Sequence, residues 1–135
     1  MDDRVLLYVE DEDAAVFLLE TALKEASIPV QLYRVSDGEQ ALAFLRQVGV
    51  YERAPRPGLV LLDLNLPKKN GLEVLAEMQK SGTLRPIPVV VFTSSSLITD
   101  RDRSLALGAQ DYITKPSTFD GFMEAVKTAC SLLPQ

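Results

Sequence analysis

Asp63 closes an apolar run, Gly58-Leu59-Val60-Leu61-Leu62, and precedes Leu64-Asn65-Leu66-Pro67. A carboxylate at the lip of such a run costs desolvation energy unless it is paired or serves a site. Three other strand-like stretches also lead into or end in polar residues. Residues 6–9 lead into Glu10 and Asp11, with Glu12 beside them; residues 87–92 lead into Thr93; residues 111–114 lead into Lys115. Gathered in one place, the carboxylates would repel, by about 3 kcal/mol for a pair about 6 Å apart at an effective dielectric near 20. Such a cluster calls for a cation, and hard carboxylate oxygens with waters suit Mg²⁺, which also binds phosphate oxygens. Lys115 adds a fixed positive charge for a phosphoryl group, and Thr93 a hydroxyl donor. A carboxylate nucleophile beside a metal and a lysine supports phosphoryl transfer through an aspartyl-phosphate.

The elements that must position these residues alternate along the chain. Residues 6–9 read as a strand, and residues 13–25 as a helix with Val16, Leu19, Leu23 and Ala26 on one face. A second strand covers residues 30–35. Asp37 and Gln40 have capping-box spacing for a helix through Val48. A loop with two prolines spans residues 49–57, and the run ending at Asp63, too short for a typical helix, is a buried strand. Asn70 and Glu73 cap a third helix ending near Gly82. Residues 87–92 form a fourth strand, followed by the loop Ser94-Ser95-Ser96. Thr99 and Asp102 open a fourth helix that stops at Gly108, and Asp111–Thr114 is a short fifth strand. Ser117 and Asp120 cap a last helix ending before Pro134. This alternation predicts an α/β fold, a doubly wound five-stranded parallel sheet with helices on both faces. In a flavodoxin-like strand order the first and third strands are neighbours, and ligands bind beyond the carboxyl ends of the strands. Glu10, Asp11 and Asp63 would then meet at one edge.

Composition narrows the remaining classes. The 135 residues suggest one domain, 1–135, with no separate output domain, so any output comes from its own surface. A net charge of −5 gives no electrostatic case for nucleic acid. No apolar stretch is long enough to span a membrane, and Met1-Asp2-Asp3-Arg4 lacks the basic start of a signal peptide; a cytoplasmic protein is expected. Cys130 is the one cysteine and falls in a helical pattern with Val126, Ala129 and Leu133, which reads as packing. Histidine is absent, which excludes Ser-His-Asp and Cys-His catalysis and any His-containing zinc site. A phospho-histidine in this chemistry must belong to a partner.

With these motifs in order, the chain resembles the receiver domain of two-component response regulators over nearly its whole length. Val9-Glu10-Asp11 resembles the acidic pair, Leu61-Leu62-Asp63-Leu64-Asn65-Leu66-Pro67 with Asn70-Gly71 the phosphorylation segment, and Phe92-Thr93-Ser94 and Tyr112-Ile113-Thr114-Lys115-Pro116 the last two motifs. The resemblance implies that Asp63 accepts a phosphoryl group from the phospho-histidine of a sensor kinase. It implies that Glu10, Asp11 and Asp63 hold Mg²⁺, some through water, with the backbone carbonyl of Asn65. Lys115 would bind the acyl phosphate, Thr93 would move towards it, and Tyr112 would rotate inward as the switch. The Lys115–Pro116 bond is implied to be cis. In place of the commoner Asp, the first acidic position is Glu10, whose longer side chain leaves its metal contact open. The segments 49–57, 61–69 and 114–118 are similar to regulators paired with phytochrome-type kinases. The family often dimerises through its fourth helix, fifth strand and fifth helix, so a homodimer is expected.

Simpler readings stand beside these. Asp11 or Asp13 could cap the first helix, Glu12 reads as solvated helix surface, and Tyr112 could be plain core packing. Of the last helix's stripe, Phe119, Phe122, Met123, Val126, Ala129, Leu132 and Leu133, most should be core. The same resemblance admits a shuttle that passes its phosphoryl group to a histidine phosphotransfer protein. The competing enzyme is a phosphatase of the haloacid-dehalogenase type, which also uses a strand-end Asp, Mg²⁺, a hydroxyl and a Lys. It normally places a general acid two residues after the nucleophile, where this chain has Asn65. A non-phosphorylated binding module is the third reading, against which Asp63 and Lys115 argue.

Overall fold

The computed structural model describes residues 4–134, so Met1–Asp3 of the acidic start lie outside the described residues. In chain order the elements are β1 (Val5–Val9), α1 (Asp13–Glu25), β2 (Gln31–Val35), α2 (Gly38–Arg46), β3 (Leu59–Leu62), α3 (Gly71–Gln79), β4 (Val89–Thr93), α4 (Ile98–Ala106), β5 (Asp111–Thr114) and α5 (Phe119–Cys130). One turn of 3-10 helix, Gly49–Tyr51, interrupts the proline-containing loop before β3. All five strands are parallel, in the order β2-β1-β3-β4-β5, with β1 beside β3 as expected.

Every residue of β1, β3 and β4 is buried. Successive side chains of a strand point to opposite faces, and here both faces are covered. Leu7, Val9, Val60, Leu62, Val89 and Val91 pack with residues of α2 and α3. Leu6, Tyr8, Leu59, Leu61, Val90 and Phe92 pack with residues of α1 and α5. That two-sided burial is why these strands read as continuous apolar runs rather than alternating ones. The ladders continue one step past the strands: Asp63 N–H donates to Val9 C=O at 3.1 Å, and Lys115 N–H to Thr93 C=O at 2.7 Å. The candidate site residues therefore begin where the sheet's regular pairing stops.

Caps place the loops. Asn70 and Glu73 form a complete capping box at α3. At α2, Asp37 Oδ1 accepts Gln40 N–H at 2.7 Å, but the return arm from Gln40 reaches Ser36 N–H rather than Asp37. At α5 the cap is Thr118, which accepts from Gly121 N–H, and not Ser117. At α4 the helix starts at Ile98 after Leu97, which offers no side-chain cap, and not at Thr99. At α5 the residue adjacent to the expected one holds the extended backbone that precedes the helix, and chemical type alone does not select between Ser117 and Thr118; at α4 that residue is Leu97, two positions before Thr99. The Lys115–Pro116 bond, expected cis, is trans, and no cis bond occurs among the described residues. Trans is the lower-energy form even before proline, by about 0.5–1 kcal/mol. In that form the Pro116 ring lies over Gly121, where an added Cβ would stand 3.0 Å from Pro116 Cβ.

The loop that follows β3 is clamped by close backbone approach. A Cβ on Gly71 would stand 2.5 Å from the carbonyl oxygen of Asp63 and 2.8 Å from Leu64 Cα. Because those are backbone atoms, Gly71→Ala must displace the segment that carries Asp63. We expect it to cost about 1–3 kcal/mol, more than the roughly 1 kcal/mol expected for cap loss in Asn70→Ala. Urea unfolding of both variants checks this; equal stability of Gly71→Ala and wild type would refute the close approach. Cys130 is buried on α5, and burial pushes its thiol up to about 11. A thiol-directed reagent at pH 8 should therefore label the native protein slowly and the urea-unfolded protein at once.

Candidate functional site

The four strand ends converge at the carboxyl edge of the sheet. Asp63 is 4% exposed and both of its carboxylate oxygens are engaged. Oδ1 accepts the Thr93 hydroxyl at 2.8 Å and the Asn65 backbone N–H at 3.2 Å. Oδ2 accepts from Lys115 Nζ at 3.2 Å. The same ammonium donates to Glu10 Oε1 at 2.5 Å, so one cation bridges the ends of β1 and β3 from beyond β5. A buried charge cluster of this kind is tolerable only when each member is paired and hydrogen-bonded, and no buried side-chain oxygen or nitrogen among the described residues lacks a partner.

Glu10 is fully buried and more tightly held than its position suggests. Besides Lys115, its Oε1 accepts the Tyr8 hydroxyl at 3.3 Å, while Oε2 accepts the backbone N–H of Glu12 at 3.1 Å. Tyr8 and Glu10 are two residues apart, so strand alternation puts them on the same face. Burial pushes the Glu10 carboxyl above the usual carboxylate range, against the opposing pull of Lys115 and the Glu12 amide. For Lys115, burial works to lower the value, but the hydrogen bond to Glu10 and the field of Asp63 outweigh it, and the ammonium is held above its ordinary value. Burial, and then the neighbouring Glu10 and Asp63 charges, push the Tyr8 phenol upward too. At neutral pH these shifts favour a charged Lys115 and a phenol that keeps its proton for donation.

Asp11 and Glu12 point the site towards solvent; both are exposed. Carboxylate oxygens of Glu10, Asp11 and Glu12 lie within 4.8 Å of one another. This all-oxygen donor set, open to water and carrying more carboxylates than the single ammonium can balance, fits a hard divalent cation such as Mg²⁺. Glu12, expected as solvated helix surface, is exposed but is not part of the helix. It is instead the extended residue before α1, at φ −95° and ψ 119°, which turns it back towards Glu10. The consecutive Glu10-Asp11-Glu12 was the available signal. Arg34 on β2, whose Nε donates to the Glu10 carbonyl and whose Nη1 pairs with Asp13, left no signal, because these contacts reach across from a neighbouring strand.

On the other side of Asp63, Thr93 leads to a second hydrogen-bonded group. Tyr112 is buried, 8% exposed, and its hydroxyl donates to Ser95 C=O at 2.8 Å. The Thr114 hydroxyl reaches the same carbonyl at 3.3 Å. Ser95 Oγ donates to Asp100 Oδ2 at 2.6 Å, which ties the loop after β4 to the first turn of α4. Thr93, Ser95 and Tyr112 thus form a connected path from Asp63 to α4 and β5. Tyr112 packs in the core, as its simpler reading expects, and its hydroxyl also holds the loop beside Thr93.

The response regulator receiver domain family matches residues 6–127. The response regulator Rcp1 of Synechocystis is 44% identical over 124 residues, covering 92% of this chain and 84% of Rcp1. A crystal structure of the phosphorylated cyanobacterial phytochrome response regulator RcpA superposes with a TM-score of 0.90 at 41% identity, covering 99% of this chain and all of RcpA. The Mn²⁺-bound form of Rcp1 superposes with a TM-score of 0.88 at 42% identity, covering 98% of this chain and 99% of that one. With strand order, acidic turn, strand-end Asp63 and Lys115 in place, these likenesses establish that the chain belongs to the response regulator receiver domain family of two-component signalling and is similar to phytochrome response regulators.

Proposed function

We propose that the chain is a phosphorylation switch in which Asp63 takes a phosphoryl group from the phospho-histidine of a sensor kinase. The observation that carries this reading is the convergence of Thr93 and Lys115 on the two oxygens of Asp63. An Asp63 oxygen attacks phosphorus as the phosphorus–nitrogen bond of the donor breaks, and the histidine nitrogen leaves and takes up a proton from solvent. Catalysis of this transfer is mostly positioning and charge stabilisation. Lys115 and the Thr93 hydroxyl are the donors placed for the phosphoryl oxygens, and the Asn65 N–H orients the attacking carboxylate. Asp11, Asp63 and the Asn65 carbonyl would hold Mg²⁺, with Glu10 acting through water. Bound there, the ion would neutralise charge developing on the transferred group. Glu10, with both oxygens already taken by protein donors, chiefly fixes Lys115.

When Thr93 turns from Asp63 to a phosphoryl oxygen, the Ser95 loop moves with it and Tyr112 follows. The surface that reads this out is α4, β5 and α5, where Leu97, Ile98 and Phe119 are exposed and apolar; a second copy of the chain is the proposed occupant. The likeness to RcpA and Rcp1 supports a phytochrome-type kinase as the partner. No helix of the described residues is long and apolar enough to cross a membrane, which fits a cytoplasmic switch. The phosphatase reading is weaker, because Asn65 presents a backbone N–H to Asp63 and has no acidic proton to give.

Incubation with acetyl phosphate should add one phosphoryl group by intact mass when Mg²⁺ is present. EDTA or Asp63→Asn should abolish the gain, and size-exclusion elution should shift with it. Phosphorylation of Asp63→Asn to the wild-type level would falsify the assignment. The charge cluster makes a second, pH-dependent prediction. Lys115→Met leaves buried Glu10 without its cation and should cost up to about 3 kcal/mol at pH 8. Glu10 already titrates above the usual range, and losing Lys115 raises it further, so its protonation restores neutrality as pH falls. The deficit relative to wild type should therefore shrink at pH 5.5. Urea unfolding in EDTA at the two pH values decides; a deficit that grows at low pH contradicts the pairing.

A further inference from the structure

We propose that Arg34 is a positioning residue for the cation-binding turn, a role that rests on the metal function proposed for Asp11 and Asp63. Arg34 lies on β2, next to β1, and its guanidinium makes two contacts that bracket the acidic turn. Nε donates to the carbonyl oxygen of Glu10 at 2.8 Å, where the strand ends. Nη1 pairs with Asp13 Oδ1 at 2.9 Å, where α1 begins. Between these anchors stand only Asp11 and Glu12, the exposed carboxylates that face solvent at the site.

The geometry suits arginine specifically. A planar guanidinium presents its donors in a fixed fork, so the two anchors are held at a set separation and angle; a lysine ammonium is a point charge on a flexible stem. Asp13 is 92% exposed and Arg34 27% exposed, so their ion pair by itself contributes little to stability. The consequence of the fork is geometric: it fixes the span across which Asp11 and Glu12 must place their oxygens. Groups that orient metal-binding residues commonly govern affinity without touching the ion.

The sign of the effect separates this role from a simple electrostatic one. A guanidinium beside a divalent-cation site repels the cation, so if Arg34 acted only as a charge, Arg34→Ala would tighten metal binding and Arg34→Lys would leave it unchanged. As a clamp, both substitutions loosen the turn and weaken binding. The probe is Mn²⁺, with its dissociation constant measured by electron paramagnetic resonance on the wild type, Arg34→Lys and Arg34→Ala, beside thermal unfolding of each. Half-saturating Mg²⁺ for acetyl-phosphate labelling is read in parallel. We expect both variants to bind Mn²⁺ about tenfold more weakly. Half-saturating Mg²⁺ should rise in step, with the labelling rate at saturating Mg²⁺ changed by less than about twofold. Tighter or unchanged Mn²⁺ binding in Arg34→Lys and Arg34→Ala overturns the proposal, as does a lowered melting temperature with wild-type affinity. Should Arg34→Ala not fold, Arg34→Lys alone carries the comparison. Failure of the wild type to bind Mn²⁺ would overturn the metal reading itself, whereas wild-type binding with unaffected variants removes only the clamp.

Discussion

Lys115 donates to Glu10 and Asp63 at once, and the arrangement of the sheet edge follows from keeping that three-membered charge group paired. Two nearly buried carboxylates on adjacent strands repel each other, and their desolvation is a cost that hydrogen bonds must offset. The offset is spread over several elements. Lys115 arrives from beyond β5, Thr93 from β4, Tyr8 from within β1, and backbone N–H groups of Glu12 and Asn65 from the loops. Loosening any one of these groups leaves a buried charge less well satisfied. The site is therefore a condition on the fold as well as a product of it.

That dependence explains how a change at one carboxylate can be felt at the surface. Asp63 touches Thr93, and Ser95, two residues on, is bonded through its backbone carbonyl to Tyr112 and through its hydroxyl to Asp100. Placing a phosphoryl group on Asp63 would redistribute the hydrogen bonds of Lys115 and Thr93. The Thr93–Ser95 segment would then adjust against the Tyr112 hydroxyl and against α4, each joined to Ser95 by a single hydrogen bond. In α4 only Ser104 is buried, so this helix has less apolar contact to resist movement than α2, α3 or α5. Elements that move in switching are drawn from such weakly anchored parts. On the opposite side, α1 and α5 pack together against the second core face, and the Phe92 ring meets both Tyr8 and Phe122 at a tilt. The acidic turn thus sits on the stiffer half of the molecule.

Much of this was legible in the residues. The apolar runs of β1, β3 and β4 are buried on both faces and could be read by length and flanking polar residues. The span of α1 and that of β5 match the sequence reading at both ends. Asn70 and Glu73 announced the α3 cap because a capping box is local in sequence. The start of α4 was misplaced because Leu97 precedes it without a side-chain cap, and the start of α5 because Ser117 and Thr118 are chemically equivalent capping residues. The trans bond before Pro116 departs from what family likeness implied, and a difference of a fraction of a kcal/mol between isomers leaves no mark in the sequence.

The residue types at the strand ends, combined with parallel βα alternation, were enough to bring Glu10, Asp11, Asp63, Thr93 and Lys115 to one edge. A strand's polarity fixes which end its last residue occupies, whatever the side chain then touches. The bonding partners of these side chains were set by three-dimensional packing. It gave Lys115 to Glu10 as well as Asp63, turned Glu12 into the acidic cluster, lodged the Tyr8 hydroxyl beneath Glu10, and brought Arg34 from the neighbouring strand across the acidic turn. These contacts depend on sheet register and side-chain reach between segments distant in sequence. Residue types and local spacing carry no information about such distances, so the cluster could be anticipated as a place and not as a set of bonds.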